Sequence, residues 1–197
     1  MYDVLSLYAR PYDPQEPVIC LDEKSKQLLA QTRQPLAAGP GHLAKEDYEY
    51  RRAGTRNLFV AVEPKGGRRT KPDFVEFVQS LVNGAYATAR TIHLVLDNLN
   101  THFRSSFEQV LGLEAARQFL ARIEFHYTPK HASWLNMAEI EIGILDRQCL
   151  GRRISSEDNL KAEVGAWEQR RNEAGCRIEW TFTRQAADQK LARHYVT

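Results

Sequence analysis

Residues 93–102 read HLVLDNLNTH, and residues 126–141 read HYTPKHASWLNMAEIE. The first stretch belongs to an apolar, β-branched run that ends abruptly at Asp97, which is typical of a buried strand with an acid at its carboxyl end. The second stretch overlaps a predicted strand over residues 123–127, and Ser133 can then cap a helix that carries Glu139 in its second turn. We therefore expect Asp97 and Glu139 to lie close together.

A third acid follows another short apolar run. This run covers residues 18–21 and ends at Asp22, so two strands each deliver an aspartate while a helix could deliver a glutamate to the same place. Three converging carboxylates repel one another unless cations lie among them. Hard oxygen ligands without a Cys or His partner suit Mg²⁺ or Mn²⁺, and two such ions about 3.5–4 Å apart are the usual device for in-line phosphoryl transfer. The acids therefore predict phosphodiester chemistry on nucleic acid.

Helix geometry separates two nearby glutamates. At about 100° per residue, Glu139 and Glu141 lie about 200° apart, so both cannot face one metal site. Asn136 precedes Glu139 by three positions and shares its face, which predicts Asn136 beside the metals. Met137 and Ile140 are then expected in the core, and Glu141 is expected to be a solvated surface residue.

The motifs around these acids resemble those of the DDE superfamily transposases, in the bacterial insertion-sequence branch related to mariner elements. The resemblance covers about residues 17–150, with Asp22 in ICLDE, Asp97 in LVLDNLNTH and Glu139 in TPKHASWLNMAE matching the catalytic acids. It implies a ribonuclease-H-like α/β fold with a central mixed sheet flanked by helices, two Mg²⁺ or Mn²⁺ ions, and DNA cleavage and joining without a covalent protein intermediate. Neighbours on a strand point to opposite faces, so Asp22 and Glu23 cannot both face the metals. The resemblance assigns that position to Asp22. It further implies terminal inverted repeats as substrate and a TA dinucleotide as target.

Polar residues near the acids are predicted to support the site. Asn98 and His102 lie in the turn after the second aspartate, where His102 could orient a carboxylate or contact a phosphate; a loop histidine bonded to backbone is the alternative. Lys130 and His131 lie in the loop before the glutamate helix, where cations and helix N-terminal donors would steer a DNA backbone. An ordinary capped loop is the alternative there.

Basic residues crowd the stretch from residue 51 to residue 71, in which Glu63 is the only acid. This stretch includes Arg68 and Arg69 and could contact DNA phosphates, with a solvated hairpin as the alternative. The formal net charge of +2 is too small to identify a nucleic-acid binder by itself.

The length of 197 residues and the 43% hydrophobic content are enough to bury one core, so one domain is expected. Residues 1–16 show no clear period and are predicted to be an arm or linker remnant, with the catalytic domain over residues 17–197. Relatives carry N-terminal helix-turn-helix units, and residues 1–16 show no such pattern. We therefore expect either a catalytic domain of a longer protein or a truncated reading frame.

Periodicity predicts the remaining elements. Helices are expected over residues 72–89, 103–111, 113–121, 157–174 and 183–195, and a further strand over residues 57–64. Ser155 or Ser156 is expected to cap the fourth of these helices, and Gly175 to end it. The three cysteines have no metal-like spacing and are expected to be reduced thiols of a cytoplasmic protein, and no stretch approaches a membrane span. The resemblance further implies a bacterial, nucleoid-associated protein.

The function expected from these observations is that of a metal-dependent transposase domain. Its partner would be double-stranded DNA, at element ends and at the target, with a homodimer as a candidate assembly and no membrane. A truncated, non-catalytic remnant that binds DNA or a full-length partner is the main alternative, since such a protein can keep its acids and still be unable to act. A ribonuclease-H-like repair or resolvase nuclease is disfavoured by the DNLNTH and KHASWLN motifs.

Overall fold

The computed structural model describes residues 1–34, 36–43, 45, 47–70, 74–97 and 104–195, of which residues 68–70, 74–76, 104 and 191–195 are described by their backbone alone. The helices are α1 (Tyr2–Ala9), α2 (Phe74–Ser80), α3 (Arg104–Leu111), α4 (Leu113–Leu120), α5 (Ala138–Leu145), α6 (Glu157–Glu173) and α7 (Arg184–Tyr195). The strands are β1 (Val18–Gln31), β2 (Tyr50–Glu63), β3 (Arg68–Thr70), β4 (Ile92–Leu96) and β5 (Ile123–Tyr127). Two π-helical turns extend α2 over Leu81–Ala85 and α5 over Asp146–Leu150, and a 3₁₀ turn covers Ser133–Leu135.

The described strands form one mixed sheet in the order β3-β2-β1-β4-β5. β1 pairs antiparallel with β2 and parallel with β4, and β4 pairs parallel with β5. The predicted α/β architecture, with a central mixed sheet flanked by helices, is therefore present. Parallel neighbours bring the carboxyl ends of β4 and β5 to one edge of the sheet, and that edge carries the candidate site.

The two faces of the sheet pack against different helices. On one face, alternate side chains from β1 and β4 pack against α2, α3 and α4: Ile19, Leu21, Leu94, Leu96, Phe77, Phe107 and Leu120. The opposite side chains of the same strands, such as Cys20 and Val95, pack against α1 and the segment before α5. On β2, Val60 and Val62 pack against α5 and α6. Both faces are covered, which explains why β4 is a continuous apolar run.

Helix α1 corrects the expectation for residues 1–16. Val4, Leu5, Leu7 and Tyr8 are buried in the second core, so this segment packs on the sheet and does not extend from it as an arm. The helix ends at Arg10, whose ψ of 146° is the extended conformation that a following proline favours. The spacing of the four apolar residues is helical, but the segment is too short and too rich in aromatic and proline residues for that spacing to stand out.

The other helices agree with the sequence to different degrees. Helix α6 begins where predicted, because Ser156 Oγ accepts a hydrogen bond from the Asn159 amide at 3.2 Å, and Gly175 follows its end with a φ of +55°. The helix predicted over residues 72–89 stops earlier, since α2 ends at Ser80 and continues only as the π-helical turn. Within the described residues, no helix combines the length and the apolar character needed to cross a membrane.

Candidate active site

Asp22 and Asp97 lie on the same side of neighbouring strands. The parallel register of β1 and β4 pairs Cys20 with Val95, and each aspartate follows its member of that pair by two residues. Since side chains on a strand alternate, both aspartates point to the face that Cys20 and Val95 occupy. Strands in a sheet lie about 4.8 Å apart, which brings these two carboxylates into one neighbourhood.

Glu139 reaches the same face from the first turn of α5, where its side chain is exposed. The start of this helix is tied to β1 by Asn136, whose Nδ2 donates a 2.8 Å hydrogen bond to the carbonyl of Leu21. The Oδ1 atom of Asn136 accepts from the Ala138 amide at 3.2 Å. One buried side chain therefore connects the residue before Asp22 to the residue before Glu139.

The electrostatics of Asp22 show that the three acids interact. Asp22 is 8% exposed, and burial raises the pKa of its carboxyl to about 6. The negative charges of Asp97 and Glu139 raise this pKa further, while the Glu23 amide, which donates to Asp22 Oδ1 at 2.8 Å, opposes the shift. A buried carboxyl held among negative charges is the environment in which a bound cation is most stabilising.

The donor set fits divalent cations. It consists of carboxylates alone, which suit Mg²⁺ or Mn²⁺. Among the residues that the structure describes, the three acids do not form a group whose ligand atoms all lie within 4.8 Å of one another. One ion would therefore not reach all three without side-chain movement, whereas two ions can share them.

The helix that carries Glu139 is not the helix that the sequence predicts. It begins at Ala138, so Glu139 lies in its first turn, and Asn136 has an extended conformation with φ −80° and ψ 111°. The expected helical face shared by Asn136 and Glu139 is therefore wrong, and the Asn136 side chain bonds to the backbone of Leu21 and Ala138. Its support of the metal site stays a prediction.

The shifted helix start also changes the surroundings of Glu141 and Ile140. Glu141 is 0% exposed, and it accepts hydrogen bonds from Arg171 at 2.7 Å and 3.0 Å, so its expected place at the surface is wrong. Ile140, expected in the core, is 41% exposed, whereas Met137 is buried as predicted. The sequence contains no local signal for the Glu141–Arg171 pair, because the two residues lie on different helices.

Several predicted supporting residues cannot be compared with the site. Asn98 and His102 lie outside the described residues. Arg68 and Arg69 lie in β3, opposite Glu63 and Val62 of β2, and their side chains are outside the described part of the chain.

Lys130 and His131 lie in an exposed turn that follows β5, at the edge of the sheet where β4 delivers Asp97. The turn is closed by a 2.9 Å hydrogen bond from the Ala132 amide to the Pro129 carbonyl. His131 has a φ of +65°, a left-handed conformation that is uncommon for a residue with a side chain. Both residues are exposed and follow the strand that pairs with the strand before Asp97.

The basic stretch is partly used within the fold. Lys65 Nζ donates to the Tyr8 carbonyl at 2.7 Å, and Arg56 pairs with Glu157 at 2.6 Å. Arg51 and Arg52 are exposed on the outer half of β2. Lys65 and Arg56 therefore have partners inside the chain, and phosphate contact by the rest of the stretch stays a prediction.

Sequence analysis did not single out Lys24, which lies on the same strand face as Asp22. Its Nζ contacts Asp146 Oδ2 at 2.5 Å, and the ion pair connects β1 to the π-helical turn after α5. The sequence signal for Lys24 is its position two residues after Asp22, which places both side chains on one face of the strand. The pair stabilises the position of α5 on the sheet from the end opposite Asn136.

Comparison with known proteins gives a matching family model and similar solved structures. A family model described as a DDE superfamily endonuclease matches residues 17–161. The fold is similar to that of the Mos1 mariner paired end complex with Mn, at 18% identity and a TM-score of 0.51. It is also similar to the Mos1 transposase paired-end complex with left transposon end and to a pre-cleavage Mos1 transpososome, each at 16% identity and a TM-score of 0.51.

Each of these alignments covers 88% of this chain and 55% of the transposase chain, so the present chain spans about half the length of those proteins. At such identities the similarity establishes the ribonuclease-H-like fold that the sequence predicts. No curated protein matches the sequence.

Proposed function

Because the chain belongs to the family of DDE superfamily endonucleases, we propose that it is the catalytic domain of a transposase that nicks and joins DNA at insertion-sequence ends. Asp22, Asp97 and Glu139 are the proposed catalytic acids and metal ligands. The observation that carries the proposal is the buried carboxyl of Asp22, whose pKa is raised by burial and by the charges of Asp97 and Glu139.

The acids would hold two divalent ions, one between Asp22 and Asp97 and the other between one of these aspartates and Glu139. When bound, Mg²⁺ or Mn²⁺ supplies the Lewis acidity that assists attack at the scissile phosphorus and departure of the 3′ oxygen. Asp22 must be ionised to act as a ligand, and its pKa of about 6 leaves it mostly ionised at pH 7 and above. Asn136 positions Glu139 against the strand that carries Asp22.

The proposed reaction has two steps that use the same acids. In the first, a water molecule loses a proton and its oxygen bonds to phosphorus, the bond from phosphorus to the 3′ oxygen breaks, and the 3′ oxygen takes up a proton. In the second, the released 3′-hydroxyl loses its proton and its oxygen bonds to a phosphorus of target DNA, while the bond to the 3′ oxygen there breaks and that oxygen takes up a proton. No side-chain nucleophile is required in either step.

DNA contact is proposed at the turn next to the acids. Lys130 and His131 are exposed at the sheet edge where β4 ends, so a phosphate bound at the acids would lie near them. Arg68 and Arg69 on the edge strand β3 are proposed to extend this contact, and Asn98 and His102 to support the acids. Terminal inverted repeats, a TA target and a homodimer belong to the same proposal.

A plasmid-nicking assay with Mn²⁺ tests the function. The wild-type chain should convert supercoiled plasmid to open circles, and Asp97→Asn should abolish the conversion while leaving the fold intact. Glu108→Gln is a matched control, because it removes a negative charge from an exposed position of α3 on the other face of the sheet. Equal nicking by wild type and Asp97→Asn would contradict the assignment, and no nicking by any variant would favour a non-catalytic DNA-binding remnant.

A further inference from the structure

A second group of potential metal ligands lies on the same sheet face, away from the acids. His93 of β4 lies on the same sheet face as Glu124 and His126 of β5, and His93 pairs directly with Glu124 in the register of the two strands. His93 precedes Asp97 by four residues, which corresponds to about 13 Å along an extended strand. The side chains of His93 and His126 are buried, whereas that of Glu124 is 61% exposed. The group therefore opens to solvent on the side of Glu124.

Two of the three separations between the ligand atoms are close to those around a small cation, and the third is longer. His93 Nδ1 lies 3.0 Å from His126 Nε2 and 3.2 Å from Glu124 Oε2, and His126 Nε2 lies 4.0 Å from Glu124 Oε2. Ligands arranged tetrahedrally about 2.0 Å from a zinc ion lie roughly 3.3 Å apart, so two of the three separations are close to this value, and the carboxylate of the exposed Glu124 would have to move by roughly 0.7 Å toward His126 to bring in the third. The backbone and rotamers would thus need only small adjustments to bind an ion.

The surroundings of His126 resemble those of a metal-binding histidine. Its Nδ1 contacts Asp3 Oδ2 of α1 at 2.7 Å, which leaves Nε2 directed at the proposed ion. A carboxylate that accepts from the second ring nitrogen fixes the tautomer and raises the basicity of the first.

A purely hydrogen-bonded arrangement is the competing explanation. Arg10 Nη1 lies 3.3 Å from His93 Nε2, so a chain in which Arg10 donates to His93, His93 to His126, and His126 to Asp3 would satisfy every ring nitrogen. With a metal at Nδ1, His93 Nε2 would carry the proton and would need an acceptor. Glu16 Oε2 lies 4.0 Å from His93 Nε2 and could accept this proton if the Arg10 side chain moved away.

We propose that His93, Glu124 and His126 form a binding site for a Zn²⁺-type transition-metal ion, separate from the carboxylate site and selective against Mg²⁺. Two imidazoles and one carboxylate suit Zn²⁺, Co²⁺ or Ni²⁺, whereas Mg²⁺ prefers oxygen ligands alone. A depression lined by Asp3 and residues 123–127 leaves the remaining coordination position open to water. A bound ion would fasten the edge strand β5 to β4, and through Asp3 to α1.

Zinc titration of the untagged chain in excess Mg²⁺ tests the site by calorimetry and by the rise of Tm. Wild type should bind one equivalent of Zn²⁺, and Asp97→Asn should bind the same, because the new site does not use that residue. Glu124→Gln should weaken binding at least about tenfold, and Asp3→Asn should weaken it about tenfold through His126. Glu124 is exposed, so this variant should fold even if His93→Gln does not. His42→Gln is the control, since His42 is exposed on the β1–β2 connection.

Two further results decide between the metal site and the hydrogen-bonded chain. Arg10→Ala should tighten Zn²⁺ binding if the ion forces the proton to His93 Nε2. Co²⁺ bound in place of Zn²⁺ should give the visible absorption of an ion with few nitrogen and oxygen ligands. A Tm that Zn²⁺ does not raise, an affinity that Glu124→Gln leaves unchanged, or zinc binding that Asp97→Asn abolishes would each overturn the proposal. None of these outcomes depends on DNA cleavage.

Discussion

The environment of Asp22 differs from that of an ordinary strand acid. Its carboxyl is buried beside two other acids and accepts one backbone hydrogen bond, from the Glu23 amide. A protein without metal therefore holds this group in its protonated form more readily than the unfolded chain does. The sequence showed an acid at the end of an apolar run, but the degree of burial depends on α5, which covers the strand from a distant part of the chain.

The raised pKa of Asp22 predicts how stability changes with pH. Since its folded pKa is about 6 against an ordinary value of 3.8, the native state binds more protons than the unfolded state between these values. Stability of the metal-free protein should therefore fall as pH rises from about 4 to 6, by on the order of 3 kcal/mol from this group. Asp22→Asn should remove that contribution, so the variant should exceed wild type in stability at pH 7 and lose the advantage near pH 4.

Urea unfolding at several pH values, without divalent ions, measures the difference between the two proteins. Glu108→Gln controls for the loss of a charge and should run parallel to wild type. If the difference in unfolding free energy between wild type and Asp22→Asn did not change with pH, the Asp22 carboxyl would not be protonated in this range.

The two glutamates of α5 should give opposite phenotypes. Glu139 is exposed beside the proposed metals, so Glu139→Gln should keep stability and lower nicking at least about a hundredfold, equivalent to about 2.7 kcal/mol of transition-state stabilisation. Glu141 pairs with Arg171 in a buried bidentate contact, so Glu141→Gln should cost about 2–4 kcal/mol of stability by leaving that arginine poorly compensated. Both changes remove one negative charge from one helix, which makes each the control for the other. If Glu139→Gln lost stability while the stability of Glu141→Gln stayed that of wild type, the structural role would belong to Glu139 and not to Glu141.

At the scale of elements, the site depends on how α5 is fixed to β1. Asn136 bonds the Leu21 carbonyl and the Ala138 amide near the start of the helix, and Lys24 pairs with Asp146 beyond its end. The two contacts flank the strand segment that carries Asp22. The helix therefore presents Glu139 in a fixed position relative to that strand.

Loss of the hydrogen bonds of Asn136 should weaken the attachment of α5 to β1 without unfolding the protein. Asn136→Ala would leave a buried carbonyl and an amide unsatisfied, at a cost of about 2–4 kcal/mol. Mn²⁺ should also stabilise the variant less than it stabilises wild type, because Glu139 is no longer held in place. Thermal unfolding with and without Mn²⁺ measures both effects, and Asn83→Ala, at an exposed position, is the control. An unchanged Mn²⁺ shift would mean that Asn136 has no role in positioning the acid.

The elements also show what the sequence could and could not predict. β4 and β5 end where predicted, because each is a short apolar run closed by an acid or a proline. The helical face assigned around Glu139 was wrong, because the chain turns through a 3₁₀ segment and an extended residue before α5 begins. That irregularity follows from burial of Leu135 and Met137 against the sheet, which is tertiary packing that no local pattern encodes.

At the scale of the whole molecule, the sheet holds separate cores that depend on different parts of the chain. The core on the side of α2, α3 and α4 and the core around α6 use elements that the sequence predicts. The remaining core is completed by α1, which packs on the strands and on the segment before α5. The first residues of the chain therefore contribute to the surface on which the acids are arranged.

This contribution gives the last prediction. Leu7 is 2% exposed in the core that contains Cys20, Val95 and Met137, so Leu7→Ala should leave a cavity and cost about 2–5 kcal/mol. Ser6 is its exposed neighbour on the same helix, and Ser6→Ala should change stability by less than about 0.5 kcal/mol. Urea unfolding of the two variants compares burial directly, because the changes lie one residue apart. If both were neutral, α1 would be a detachable arm as the sequence suggested; a loss confined to Leu7→Ala would make it part of the folded domain.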